Sequence, residues 1–256
     1  MINQAQFSFR TVTQASAELP ALLWARIGPI SQLNGAGARG VCQRPVCIGV
    51  TGSRSAPKSS CAQIREFTQW ICEDSESLIV SGGALGTDLA AHEGALDSPG
   101  GATCIVLPIS LDSAFSSRRF AALLQSENVE SRLLFLSQFD ESDQDFRSMP
   151  LRRNETLAAL CNVGLVGCCG IKSGTLSTVK HFLRFQIPFY FLQPTAVDST
   201  EWNMAAKYFA AVGGKPLQWT NEGEGRLLAA EVCRLAAEEK TVQHRFIKSQ
   251  LDLFGE

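Results

Sequence analysis

Charge is scarce in this chain, and an excess of either sign is absent. Only 19% of the residues are Asp, Glu, Lys or Arg, and they nearly cancel, to a formal net charge of −2. With 45% apolar residues, that composition belongs to a folded core rather than a disordered segment. The near-neutral balance excludes a uniformly basic nucleic-acid coat, so any contact with nucleic acid must come from a local patch. A leader is also missing: Met1-Ile2-Asn3-Gln4-Ala5-Gln6-Phe7 has no basic segment followed by an apolar core. No apolar run is long enough to span a bilayer. These absences lead us to expect a soluble, cytoplasmic protein with no membrane partner.

The nine cysteines then read as reduced thiols. Cys47, Cys72, Cys104 and Cys161 sit in apolar runs, where cysteine behaves as a small hydrophobe. Cys42 and Cys47 lack a second pair, or histidines, at zinc spacing. Cys168 and Cys169 are adjacent, which suits neither zinc nor an ordinary disulfide. The acidic stretch from Phe139 to Phe146 has no glycine where a calcium loop needs its sharp turn. Neither a metal nor a cofactor is expected.

What the chain does have is a regular alternation. Val46–Thr51, Ser77–Ser81, Thr103–Leu107, Leu133–Leu136, Val163–Gly167 and Pro188–Leu192 are short, nearly continuous apolar runs, the mark of strands buried on both faces. Helical patterns fall between them, at Pro57–Cys72, Thr87–Asp97, Arg118–Gln125, Arg152–Cys161 and Ser173–Phe185. Strand–helix alternation predicts an α/β fold: a parallel or mostly parallel sheet with right-handed crossovers and helices on both faces. Residues 1–45 read as a lead-in packed on the main domain, with a short helix near Leu19–Trp24 and a flexible loop at Gly35–Gly40. The main domain covers 46–220, with a helix at Trp202–Val212. A C-terminal amphipathic helix (Glu224–Glu239) and linker fill 221–249, and a tail covers 250–256.

Three small-residue turns follow strands and open helices. They are Gly52-Ser53-Arg54, Ser81-Gly82-Gly83-Ala84-Leu85-Gly86, and Ser173-Gly174-Thr175. Glycine lets a backbone approach a ligand closely, and the first amides of a helix point outward at its positive dipole end. One such turn alone is equally a tight connection that binds nothing. Three on the carboxyl edge of one sheet form an anion site. Arg54, Lys58, Arg152, Arg153 and Lys172 stand in or beside the turns and could neutralise phosphates, with Asn154 adjacent. Each has a plainer reading: Arg54 could pair with Asp88, Arg153-Asn154 could only start a helix, and Lys172 could be a surface charge. Asp88, being negative, and His92, one turn later on the face of Leu89 and Leu96, read as structural supports rather than catalytic groups. Phe115 and Phe120 read as core.

The order of these motifs resembles the DprA/Smf family of DNA-processing proteins. Gly52-Ser53-Arg54 matches that family's G-S-R. Ser81-Gly82-Gly83-Ala84-x-Gly86-x-Asp88-x-x-Ala91-His92 with Ala95-Leu96 matches its S-G-G-A-x-G-I-D-x-x-A-H-x-x-A-L. Arg153-Asn154 and Ser173-Gly174-Thr175-Leu176 match its R-N and S-G-S/T-L blocks. Thr87 replaces the usual isoleucine, and Glu155 stands where a second arginine is usual. The resemblance covers roughly residues 46–194. It implies an extended Rossmann-like fold, single-stranded DNA as partner, a homodimer, and delivery of a RecA-type recombinase onto DNA, as in DNA uptake and recombination. It implies no catalysis.

A rival reading is a nucleotide-binding protein or a LOG-type phosphoribohydrolase, whose motif is P-G-G-x-G-T-x-x-E. The nearest stretch, Cys169 to Thr178, has Ser177 and Thr178 where that chemistry needs a carboxylate. Separately, Gln250-Leu251-Asp252-Leu253-Phe254 looks like the Q-L-S/D-L-F pentapeptide with which bacterial proteins bind the sliding clamp. Leu253 and Phe254 would be its apolar anchors. The same residues could instead end a helix that folds back on the domain.

Overall fold

In a computed structural model of the chain, the structure describes residues 9–11, 19–28, 30, 32–73, 75–143, 145–195 and 198–254, with side chains between Leu19 and Gln243. One nine-stranded sheet organises them, in the order β1-β2-β6-β5-β4-β3-β7-β8-β9. The six expected strands are β3 (Val46–Thr51), β4 (Ser77–Ser81), β5 (Ala102–Leu107), β6 (Leu133–Ser137), β7 (Val163–Val166) and β8 (Phe189–Leu192). Every residue in them is buried, because helices cover both faces of the sheet. All six pair in parallel, and β9 (Lys215–Leu217) joins β8 in the same sense. The α/β, Rossmann-like fold class is therefore as expected.

The lead-in differs from expectation. Its predicted loop is instead a strand, β2 (Asn34–Gly37), antiparallel to β6 and followed by a 3-10 turn at Arg39–Gln43; β1 (Phe9–Thr11) pairs antiparallel outside it. Its short helix is α1 (Ala21–Ile27), where Arg26 donates to the carbonyls of Ala159 (3.0 Å) and Cys161 (2.6 Å). Residues 118–125 are turns and a 3-10 segment at Leu123–Gln125 rather than a helix.

The remaining helices are α2 (Lys58–Glu73), α3 (Thr87–Asp97), α4 (Leu111–Phe115), α5 (Met149–Ala159), α6 (Thr175–Arg184), α7 (Thr200–Ala211) and α8 (Glu222–Phe254). The last corrects the linker reading: the backbone stays helical through 240–254. Along α8, Gly225 lies against the ring of Trp70. Further on, Lys240 Nζ donates to the Gln43 carbonyl (3.0 Å) and to that of Arg44, and Gln243 accepts from Asn162 Nδ2 at 3.2 Å. These contacts place the Lys240–Gln243 turn of α8 at the amino ends of β3 and β7. Among the described residues no helix is long and apolar enough to cross a membrane.

The connections matter most for the site. From β3 the chain winds outward through β4, β5 and β6, then returns to β7 on the other side of β3. That reversal opens a crevice at the carboxyl ends of β3 and β7, the usual ligand position in open α/β sheets.

Candidate nucleic-acid interface

A cavity of about 300 Å³ occupies that crevice. Its walls are Thr51, Gly52, Ser53 and Arg54 after β3, Ala84 and Asp88 from the turn after β4, Pro150, Leu151, Arg153 and Asn154 from α5, and Ser173, Gly174 and Thr175 at the start of α6. The three turns expected to converge do so. Thr51, Ala84, Pro150 and Leu151 were not among the residues expected to contact a ligand. Nothing local marks them; they are brought in by the elements that carry their neighbours. Ser81, Gly82, Gly83, Gly86, Arg152 and Lys172 are not on its walls. Arg152 is exposed, its guanidinium 5.2 Å from the centre of the Phe139 ring, and Lys172 is exposed beside the α6 turn.

The turns are bound to each other before any ligand arrives. Ser53 N–H donates to the Cys168 carbonyl (2.8 Å), and Thr87 N–H donates to the Ser53 carbonyl (3.2 Å). Thr87 Oγ1 also donates to Ser53 O at 3.4 Å, and its side chain packs where a Cβ on Gly52 would sit. The threonine found in place of isoleucine is thus the link between the first two turns. Gly86 has φ +77°, and a Cβ there would lie 2.4 Å from Ser53 O. Gly86→Ala combines a left-handed backbone with a collision against backbone. It should cost about 2 kcal/mol or more in urea unfolding, and a wild-type midpoint would show that the turns are not locked together.

Asp88 changes the expected role of the central turn. The carboxylate lies in the first turn of α3, and its Oδ2 accepts from Ala84 N at 3.3 Å. Burial pushes its pKa up, opposed by Arg153 and by hydrogen bonds from Ala84, Ser81 and Gly82. The amides of Gly82 and Ala84 therefore face the protein's own carboxylate.

Arg153 is likewise interior. It is only 6% exposed, and its guanidinium fills the space that a Cβ on Gly82 would take. Burial lowers its pKa, Asp88 opposes that shift, and Arg54 adds to it. Asp88 is thus balanced by Arg153 rather than by Arg54, which is exposed. His92 is buried, with Nδ1 2.6 Å from Thr103 Oγ1. The threonine hydroxyl donates its one proton to the Ile79 carbonyl at 2.8 Å, so His92 Nδ1 must be the donor to it. Nε2 is then the bare nitrogen, and it has no hydrogen-bond partner among the described residues.

What remains open to a ligand is the other wall. Helix α6 begins at Thr175, and its first internal bonds are Leu176 N to Ser173 O and Ser177 N to Gly174 O. Helix geometry leaves the amides of Gly174 and Thr175 at its positive end, on residues that line the cavity. Asn154 Nδ2 holds that turn through the Gly174 carbonyl at 3.4 Å. The ionisable groups on the walls are two guanidiniums and one carboxylate, an excess of one positive charge. Among the described residues no group of three or more His, Cys, Asp or Glu side chains could hold a metal.

Residues 10–216 match the model of the family described as DNA recombination-mediator protein A. The chain belongs to this family. Within the DNA recombination-mediator protein A family, the DNA processing protein DprA of Streptococcus pneumoniae is 30% identical over 139 residues, 54% of this chain and 46% of that protein. A putative DNA processing protein DprA of Mycobacterium tuberculosis is 29% identical over 159 residues, 62% of this chain and 37% of that protein. The chain thus spans less than half the length of these curated relatives. The solved structure of DprA from S. pneumoniae superposes with a TM-score of 0.72 at 23% identity, covering 86% of this chain and 74% of that one. A Helicobacter pylori structure, described as showing the single-stranded DNA binding mode of DNA processing protein A, gives 0.71 at 21%, covering 88% and 97%. These likenesses establish a shared fold.

Proposed function

We propose that the chain binds single-stranded DNA through its phosphates at the carboxyl edge of the sheet, performs no covalent chemistry, and serves recombination by presenting the strand to a RecA-type recombinase. The observation that carries this reading is the cavity at the strand-order reversal, where the positive end of α6 meets Arg54 and Arg153. Family membership and the binding mode described for the H. pylori protein support it. The cavity's single carboxylate is spent on Arg153 and on the amides of its own turn. That favours binding over the ribohydrolase reading, which needs a free acid aimed at a ribose.

Arg54 is the exposed cation at the cavity, so its removal separates ligand contact from stability. Arg54→Ala should weaken binding of a single-stranded oligonucleotide about tenfold and lower the slope of log K against log salt by about one. Its unfolding midpoint should stay at the wild-type value. Undiminished binding, or a wild type indifferent to salt, would sink the reading.

We also propose that Gln250, Leu251, Asp252, Leu253 and Phe254 engage a bacterial sliding clamp. Their side chains lie outside the described residues. The supporting fact is the five matching residues; the backbone of 250–254 is helical, so binding as an extended peptide requires this end of α8 to unwind. Deletion of 250–256 should abolish pull-down by purified clamp and leave oligonucleotide binding intact; retained pull-down would make the motif a coincidence. The expected homodimer is part of the same proposal.

A further inference from the structure

A second cavity, of about 420 Å³, has the opposite character. It lies beyond the carboxyl ends of β5 and β6. Its walls include Ile109 before α4, Asp140, Glu141, Asp143 and Phe146 from the loop after β6, and Met149 at the start of α5. The next two residues of α5, Pro150 and Leu151, line the cationic cavity, so one helical turn borders both. Met149 is buried and Ile109 half-buried, while Phe146 is 69% exposed. Among the described residues, three carboxylates and no cation line this second cavity. The Asp140 carboxylate is held in place: Oδ1 accepts from Ser142 N at 2.8 Å, and Oδ2 accepts from Gln32 Nε2 at 3.0 Å. Hydrogen bonds from Ser142 first, and then from Gln32, keep its pKa below the usual carboxylate range.

We propose that this second cavity docks an arginine-bearing segment of a partner protein. A lone exposed ring or a lone acidic loop is ordinary at a surface. Here both share a cavity with recessed apolar side chains, and one chemistry suits all three. A nucleic-acid strand is turned away, because its phosphates meet like charge. A purely apolar occupant would strip water from the carboxylates and give them no partner in return. Among the described residues no group of side chains could hold a metal. An arginine meets each demand. Its aliphatic stem covers Ile109 and Met149, its guanidinium plane lies on the Phe146 ring, and its fork of donors reaches the carboxylates. The compact ammonium of lysine has no plane to lay on the ring and no fork to offer. The docking surface goes beyond the DNA-binding reading and does not depend on it. Where that reading holds, the shared turn of α5 sets the docked protein beside the strand.

The test is selection of random heptapeptides displayed on phage against the full chain, then fluorescence anisotropy of a labelled synthetic copy of the most enriched peptide. Enriched peptides should share an arginine beside an apolar residue. Replacing that arginine by citrulline, which keeps the shape and removes the charge, should weaken binding about tenfold. Phe146→Ala should weaken it about tenfold, and Glu141→Gln about threefold. Both positions are exposed, so these variants test docking rather than folding. Oligonucleotide binding by Phe146→Ala should match the wild type, which separates failure here from failure of the DNA reading. Enriched peptides that lack a cation, or that bind Phe146→Ala as tightly as the wild type, overturn the proposal, and so does a selection that enriches nothing. Spermidine that binds more tightly than the peptide would make the occupant a free polyamine. A wild-type dimer that Phe146→Ala dissolves, with no peptide enriched, would make it a second copy of the chain. Either result overturns the partner protein.

Discussion

Arg153→Ala is expected to lower folding stability by about 2–3 kcal/mol, the order for leaving a buried carboxylate without its balancing cation. The guanidinium is interior, lies in the space left by Gly82, and acts electrostatically on Asp88, itself 6% exposed. Its loss strips a buried carboxylate of its balancing cation and opens a void between α5 and the Ser81–Gly86 turn. The carboxylate can escape by taking a proton, and burial already pushes its pKa up. In the variant that shift should grow. A carboxyl whose pKa is higher folded than unfolded adds stability at low pH and loses it as pH rises through the folded value. The urea midpoint of Arg153→Ala should therefore fall as pH is raised, more steeply than that of the wild type. Asp88→Asn added to the variant should flatten the curve. A variant with the wild-type midpoint and lost DNA binding would show that Arg153 is a ligand contact and not a support.

That division of labour among the arginines is where sequence reading stops. The central strands were legible because burial on both faces leaves a run such as Cys104-Ile105-Val106-Leu107, which needs no partner to be recognised. Helix α3 was legible because glycines precede it and Asp88 stands in its first turn. Strand β2 was not: Asn-Gly-Ala-Gly is a loop by propensity, and it becomes a strand only because the edge of β6 offers it backbone partners. Strand β9 is three residues with a proline, tolerable only at the edge where it sits. The convergence of the turns followed from strand–helix alternation, yet the direction of their amides did not. Whether Gly82 and Ala84 donate to a ligand or to Asp88 depends on where a carboxylate swings. Whether Arg153 faces solvent depends on the missing Cβ of Gly82, far away in the chain. Sequence shows which groups are near the site, and only packing shows which of them are already taken.

The same packing makes the protein acid-sensitive through His92. The imidazole is buried under α3, donates from Nδ1 to Thr103, and leaves Nε2 bare. Protonating Nε2 would place a cation in the interior, and burial, helped by the charge of Arg153, holds the pKa down at about 3. An unfolded histidine titrates near 6.5. Because the folded value is depressed, the unfolded chain binds the extra proton first as pH falls. Stability is therefore complete above 6.5, declines by about 1.4 kcal/mol per pH unit below it, and levels off near 3. By pH 5 the loss attributable to this one residue should be about 2 kcal/mol. Asp88 acts with the opposite sign, so the wild-type curve alone mixes the two. His92→Asn keeps a donor toward Thr103 and removes the titration, and Asp88 is common to both proteins. The difference in unfolding free energy between wild type and variant, measured in urea at pH 7 and again at pH 5, should shrink by about 2 kcal/mol in favour of the variant. An equal difference at the two pH values would mean that His92 takes its proton as readily folded as unfolded, and that the bare nitrogen is not shut away from water.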